Sequence, residues 1–118
     1  TTQLTPVPLT RPWFVGVANI RGNLYAVTDF SVFRGGQPIV QNANSRLLLI
    51  GSRYGTNAAL LVSRMLGLKR PEDFTPETPD GVMPLWGQQR FADTQGKIWR
   101  KLSVRELLAD QDFMNIGV

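Results

Sequence analysis

Apolar residues along this chain come in short runs broken by Gly, Pro, Asn and Asp, the pattern of a small β protein rather than of long amphipathic helices. Residues 1–12 carry Pro6, Pro8 and Pro12 and read as an extended lead-in. Residues 13–20 (Trp-Phe-Val-Gly-Val-Ala-Asn-Ile) and 24–30 (Leu-Tyr-Ala-Val-Thr-Asp-Phe) flank Arg21-Gly22-Asn23. This predicts a hairpin whose positive-φ turn falls on Gly22-Asn23. Asp29 is placed to cap a short helix running through Phe33.

Residues 34–45 form a loop that divides the chain. Beyond it, residues 46–50 (Arg-Leu-Leu-Leu-Ile) read as an apolar strand in a buried position. Residues 53–56 supply a turn. Residues 57–66 fit either a helix or a strand, and the hairpin context selects strand. Four prolines and Asp80-Gly81 make residues 71–89 a long ordered loop or irregular edge. A last hairpin is expected over residues 90–102, turning at Thr94-Gln95-Gly96. Ser103-x-x-Glu106 is a capping box opening a helix through Val104, Leu107 and Leu108. From Asp110 onward a tail follows, with Phe113 and Ile116 available to dock on the core.

Composition narrows the chemistry. The 118 residues are 42% hydrophobic and 19% charged, ordinary for a single globular domain. Cys and His are both absent, which removes thiol nucleophiles, disulfides, Cys/His zinc sites and His-dependent triads. There is no P-loop, nucleophile elbow or calcium loop, and no carboxylate pair suited to acid–base catalysis. A non-enzymatic protein without metal or cofactor is expected. No apolar run approaches the roughly 18 residues of a membrane span, so no membrane insertion is expected. Charge is uneven: residues 1–70 hold eight basic residues against Asp29 alone, whereas residues 71–118 hold five basic and eight acidic ones. That split fits either a polar partner or two solvated faces.

The two hairpins resemble each other. Gly22 matches Gly96, Leu24 matches Ile98, Tyr25 matches Trp99, and each hairpin runs into a short capped helix. In the second copy, the apolar hairpin of residues 46–66 precedes the motif, and the first copy has no counterpart. Arg46 stands 50 residues before Gly96, but Thr1 only 21 before Gly22. Equivalent copies would therefore leave about thirty residues of an opening hairpin outside the chain, by the same repeat arithmetic. An incomplete first barrel with an exposed strand edge is the expectation, and with it a strand-exchanged homodimer.

Residues 12–22 (Pro-Trp-Phe-Val-Gly-Val-Ala-Asn-Ile-Arg-Gly), followed by Val27-x-Asp29-Phe30, resemble the central signature of the CheW-like family. Leu60-Leu61-Val62-x-x-Met65-Leu66-Gly67 is similar to that family's second hairpin. Three departures stand out: Ala26 replaces a usual Pro, Ser63 stands where Asp is common, and the opening strands are absent. The resemblance implies an all-β fold with short helices, built as two SH3-like five-stranded β-barrels in one domain over residues 1–118. Residues 1–44 would form what remains of the first barrel, and residues 45–118 the second barrel with its C-terminal helix and tail. It further implies a cytoplasmic scaffold within receptor arrays, coupling the cytoplasmic tip of chemoreceptors to the regulatory domain of a CheA-type histidine kinase. Trp86, Trp99 and Asp110-x-Asp112-Phe113 are similar to the family's pilus-type branch, which serves twitching motility.

For this role the resemblance marks Arg21, Asn19, Gly22 and Gly16 as partner-binding positions. Read from residues alone, Arg21 is either a solvated turn arginine or a forked donor to a carboxylate or carbonyl. Asn19 is suited to bonding the turn backbone, and Gly16 to close strand packing. One alternative is a single-stranded nucleic-acid module, with Trp13, Phe14, Tyr25, Phe30 and Phe33 as a stacking platform and Arg11, Arg21 and Arg34 on phosphates. The same aromatics fit a simple β core, and no nucleic acid is expected as partner. A further alternative is the regulatory domain of a larger kinase.

Overall fold

The computed structural model describes residues 4–50, 57–67 and 69–115. The chain divides into two compact units, one built on the strands before Gly67 and the other spanning Gly67–Met114. The first unit holds β1 (Leu4–Thr5), β2 (Phe14–Ile20), β3 (Asn23–Asp29), α1 (Phe30–Phe33), β4 (Arg46–Ile50) and β5 (Ala58–Val62). Its sheet has the order β1-β2-β3-β5-β4. The second unit holds β6 (Thr75–Glu77), β7 (Arg90–Ala92), β8 (Ile98–Arg100), α2 (Val104–Ala109) and α3 (Gln111–Met114). Its sheet has the order β6-β7-β8. The protein is thus mainly β with a few short helices, one small sheet to each unit.

In the first unit, β2 and β3 pair antiparallel, and β5 then pairs parallel to β3 from Ala26↔Ala58 to Asp29↔Leu61. Ala18, Val27, Ala59 and Leu61 form the buried cluster, with Leu4, Ile20 and Leu47 packed against it. This corrects the expected division at residues 44 and 45. The hairpin of β4 and β5 belongs to the first unit, because β5 buries its small, apolar residues against β3. It therefore does not precede the second hairpin as part of a second copy. Strand β4 is corrected as well: its all-apolar sequence suggests burial on both faces, yet it lies at the sheet edge with Leu48 and Leu49 exposed. The turn expected at 53–56 lies outside the described residues, as does Ile116.

Close approach of β1 to β2 depends on Gly16. Its φ is +146°, and a Cβ built there would collide with the backbone of Thr5, lying 2.8 Å from its carbonyl carbon. A register irregularity between Phe14 and Gly16 marks the same place as a bulge.

Asp29 ends β3 and caps α1, as its position predicts. One carboxylate oxygen accepts from Val32 N–H (3.1 Å) and the other from Ile39 N–H (2.8 Å), tying the loop after α1 back to the sheet. The backbone N–H of Asp29 donates to the Trp13 carbonyl at 2.7 Å. Arg34, Gly35 and Gly36 then fold back onto α1, donating to Phe30, Val32 and Ser31 carbonyls.

The second unit uses its acids in the same way. Asp93 accepts from Gln95 and Lys97 N–H groups and from the Trp99 indole at 2.9 Å, which closes the β7–β8 turn. Lys97 lies over the Trp99 ring, 4.6 Å from its centroid. Ser103 caps α2 through Glu106 N–H, one arm of the expected capping box; the Ser103 N–H donates instead to the Trp86 carbonyl at 3.0 Å. The expected tail instead folds as α3, because Asp110 accepts from Asp112 and Phe113 N–H groups and from the Trp86 indole. Leu107, Phe113 and Trp86 are the buried side chains of this unit.

Two measurements test these contacts. Gly16→Ala should cost about 2–3 kcal/mol in chemical denaturation, because it adds a backbone collision to an unfavourable φ. The Trp99 indole, with help from backbone N–H groups and Lys69, holds the Asp93 carboxyl below its ordinary value. A depressed folded-state pKa stabilises above the unfolded value and loses that contribution as pH falls through the folded one. Urea melts should therefore show the wild type losing more stability than Asp93→Asn between neutral and strongly acid pH.

Candidate functional site

The β2–β3 turn gathers three of the four residues that the resemblance marks. Strands β2 and β3 end on the pair Ile20↔Asn23, so the loop is Arg21-Gly22 alone. Their φ values are +54° and +83°, both positive as a two-residue type I′ hairpin turn requires. This moves the turn one residue back from Gly22-Asn23. Asn23 is the first residue of β3, and the left-handed backbone falls on an arginine. Asn19 explains the shift: its side-chain oxygen accepts from Gly22 N–H at 3.1 Å and fixes the turn from the strand side. The expectation that Asn19 bonds the turn backbone is met.

Arg21 is exposed, and no ion pair links it to a described residue. A left-handed conformation costs an L-residue about 1–2 kcal/mol, so the chain retains a strained arginine where Gly would be relaxed. Beside it Leu24, paired with Asn19, stands 62% exposed. The turn thus presents a planar cation next to an aliphatic side chain on a rigid hairpin. That combination suits a carboxylate or carbonyl cluster with an adjoining apolar contact on a protein surface. Leu24 enters the sequence reading only through its match to Ile98, which is also exposed. The recurrence of an exposed aliphatic residue two places after each turn glycine is the signal that marks it.

Gly16 takes a different part. It is buried against Thr5 and away from the turn, so it positions β1 and offers no surface to a partner. The aromatic platform is largely taken up by packing within the protein. Trp13 meets Phe33 edge-on at 5.3 Å, Phe30 stacks with Phe33, and Phe14 is buried. Among the described residues there is no metal-binding group of His, Cys, Asp or Glu, and no helix is long and apolar enough to cross a membrane.

The geometry in outline is two small β units, the first carrying an exposed arginine on its β2–β3 turn. The CheW-like domain model matches residues 1–112, and the chain belongs to that family. Among solved structures it is similar to the scaffolding protein TtCheW from Thermoanaerobacter tengcongensis. The TM-score is 0.73 at 18% identity, covering 98% of this chain and 81% of that one. At that identity the likeness carries the fold, two small SH3-like β-barrels. No curated protein matches the chain in sequence.

Relaxing the turn should be measurable. Arg21→Gly is expected to raise stability by about 0.5–1 kcal/mol, the left-handed strain less the added chain entropy of glycine. Equilibrium denaturation reads this directly.

Proposed function

We propose that this protein is a coupling adaptor of a bacterial chemosensory array. In this reading it links the cytoplasmic tip of a chemoreceptor to the regulatory domain of a CheA-type histidine kinase, in the cytoplasm and without catalysis. CheW-like membership over nearly the whole chain supports the scaffold role in chemotaxis signalling. The observation that carries the contact assignment is the exposed, strained Arg21 on the Asn19-braced turn, with Leu24 beside it. Trp86, Trp99 and the Asp110-x-Asp112-Phe113 segment favour the pilus-type, PilI-like branch and hence twitching motility. The apolar edge of β4 is where a strand from another chain, a second copy included, would add to the sheet.

Titration calorimetry with the cognate receptor tip and the kinase regulatory domain tests this. Binding with Kd on the order of tens of micromolar or tighter is expected for both. Arg21→Glu should weaken the receptor contact roughly tenfold or more with the melting curve intact. Absence of binding to either partner would overturn the adaptor reading, and unaltered receptor binding would remove Arg21 from the contact.

A further inference from the structure

Among the residues before Gly67 there are six arginines, no lysine and one acid, Asp29. Asp29 is 5% exposed and its two oxygens are taken by Val32 and Ile39 N–H groups. The described surface of the first unit therefore presents arginines and no carboxylate. One of them, Arg34, lines a groove of about 430 Å³ between α1, the loop after it and the end of β5. The groove is lined by the polar residues Ser31, Ser63, Gln37 and Asn42 and by the apolar Ile39 and Val62. No acidic residue borders it, and Arg34 makes no ion pair with a described residue.

The groove is also built in advance. The Arg34 guanidinium rests over the Phe30 ring, 5.8 Å from its centroid. Gly36 passes so close to α1 that a Cβ would lie 2.8 Å from Ser31 Oγ. Ile39, at the far wall, is pinned by Asp29 at 2.8 Å. A planar cation, neutral donors and an aliphatic wall in a fixed concavity fit a carboxylate carried next to an aliphatic side chain.

We propose that this groove binds an acidic segment of a partner protein, one Glu or Asp side chain on Arg34 and its apolar neighbour against Ile39 and Val62. Charge complementarity selects the occupant: an anionic segment meets no repelling carboxylate anywhere on the described surface of this unit. Nucleic acid is the less favoured polyanion, since Trp13, Phe30 and Phe33 pack against one another. The site is at the opposite end of the β2–β3 hairpin from Arg21, and it does not depend on the coupling role.

Fluorescence anisotropy of the full chain with a labelled peptide of alternating Glu and Leu tests the proposal, with a Lys-and-Leu peptide as control. The acidic peptide should bind at low salt and the basic one should not. Arg34→Glu should weaken binding roughly tenfold or more, while the charge-matched Arg105→Glu on α2 leaves it within about twofold. If Arg34→Glu fails to fold, Arg34→Gln, which removes the charge but retains an N–H donor, carries the comparison with an expected loss of roughly threefold or more. Amide shifts on peptide addition should map to Ser31, Ile39 and Val62. Equal losses from Arg34 and Arg105 variants, or no acidic-peptide binding at low salt, would overturn the site. So would a single-stranded oligonucleotide that outcompetes the peptide with the same dependence on Arg34. Because the probe is neither receptor nor kinase, failure here leaves the adaptor reading standing, and failure there leaves this site standing.

Discussion

The buried carboxylate of Asp29 is the contact on which the first unit depends. A buried ion is costly unless its lone pairs are satisfied, and here two backbone N–H groups satisfy them. One is in the first turn of α1 and the other is ten residues downstream, beyond the Arg34-Gly35-Gly36 reversal. The same side chain thus ends β3, starts α1 and anchors the loop that carries the chain towards β4. β5 can then run parallel to β3, a pairing that always needs a long crossover between the strands. Since Asp29 is spent inside, no other residue of this unit offsets its arginines.

In the second unit the acids also do backbone work, but at turns and helix starts. Asp93 and Asp110 each accept from two backbone N–H groups and from an indole, Trp99 and Trp86 respectively. Each pairing joins a tryptophan's apolar body to a fixed polar anchor that orients the ring, Trp86 buried and Trp99 half-buried. Asp80 meets Arg100 at 2.9 Å, and the Arg100 hydrogen bond is the main cause of its lowered pKa. Four residues of α3 and six of α2 would be too short to persist alone, and the caps together with Leu107 and Phe113 hold them.

Local chemistry was the legible part of the sequence. Asp29 before Phe30, Ser103 before Glu106 and the paired β runs around Gly22 each state a local preference that tertiary structure had no cause to override. The hairpin repeat was legible too, since Gly22 and Gly96 both take φ near +80°. Placement was not. Leu47-Leu48-Leu49 reads as interior because hydrophobicity reports a preference for burial and not the side of a sheet on which a strand is laid. The assignment of β4 and β5 to one unit or the other depends on the alanines of β5 meeting β3, a pairing between residues more than thirty apart that periodicity cannot register. At the β2–β3 turn, Asn19, Arg21 and Gly22 come together as the spacing suggests, but the turn falls one residue earlier than Gly22-Asn23. Asn and Gly both favour positive φ, and what decides between Arg21-Gly22 and Gly22-Asn23 is the Asn19 side chain closing on Gly22.

That shift has a physical consequence. With the turn on Gly22-Asn23, two residues tolerant of positive φ would carry it and Arg21 would be an ordinary strand residue pointing across the sheet. With the turn on Arg21-Gly22, the arginine leaves the ladder, and its direction is set by a backbone that most L-residues avoid. Strain of this kind persists when surrounding contacts over-determine it, here the seven-residue strands on each side and the Asn19 bond. A backbone fixed in this way loses less entropy on meeting a partner than a flexible loop does. The hairpin therefore gives up some folding stability to place Arg21 on the turn, outside the strand ladder.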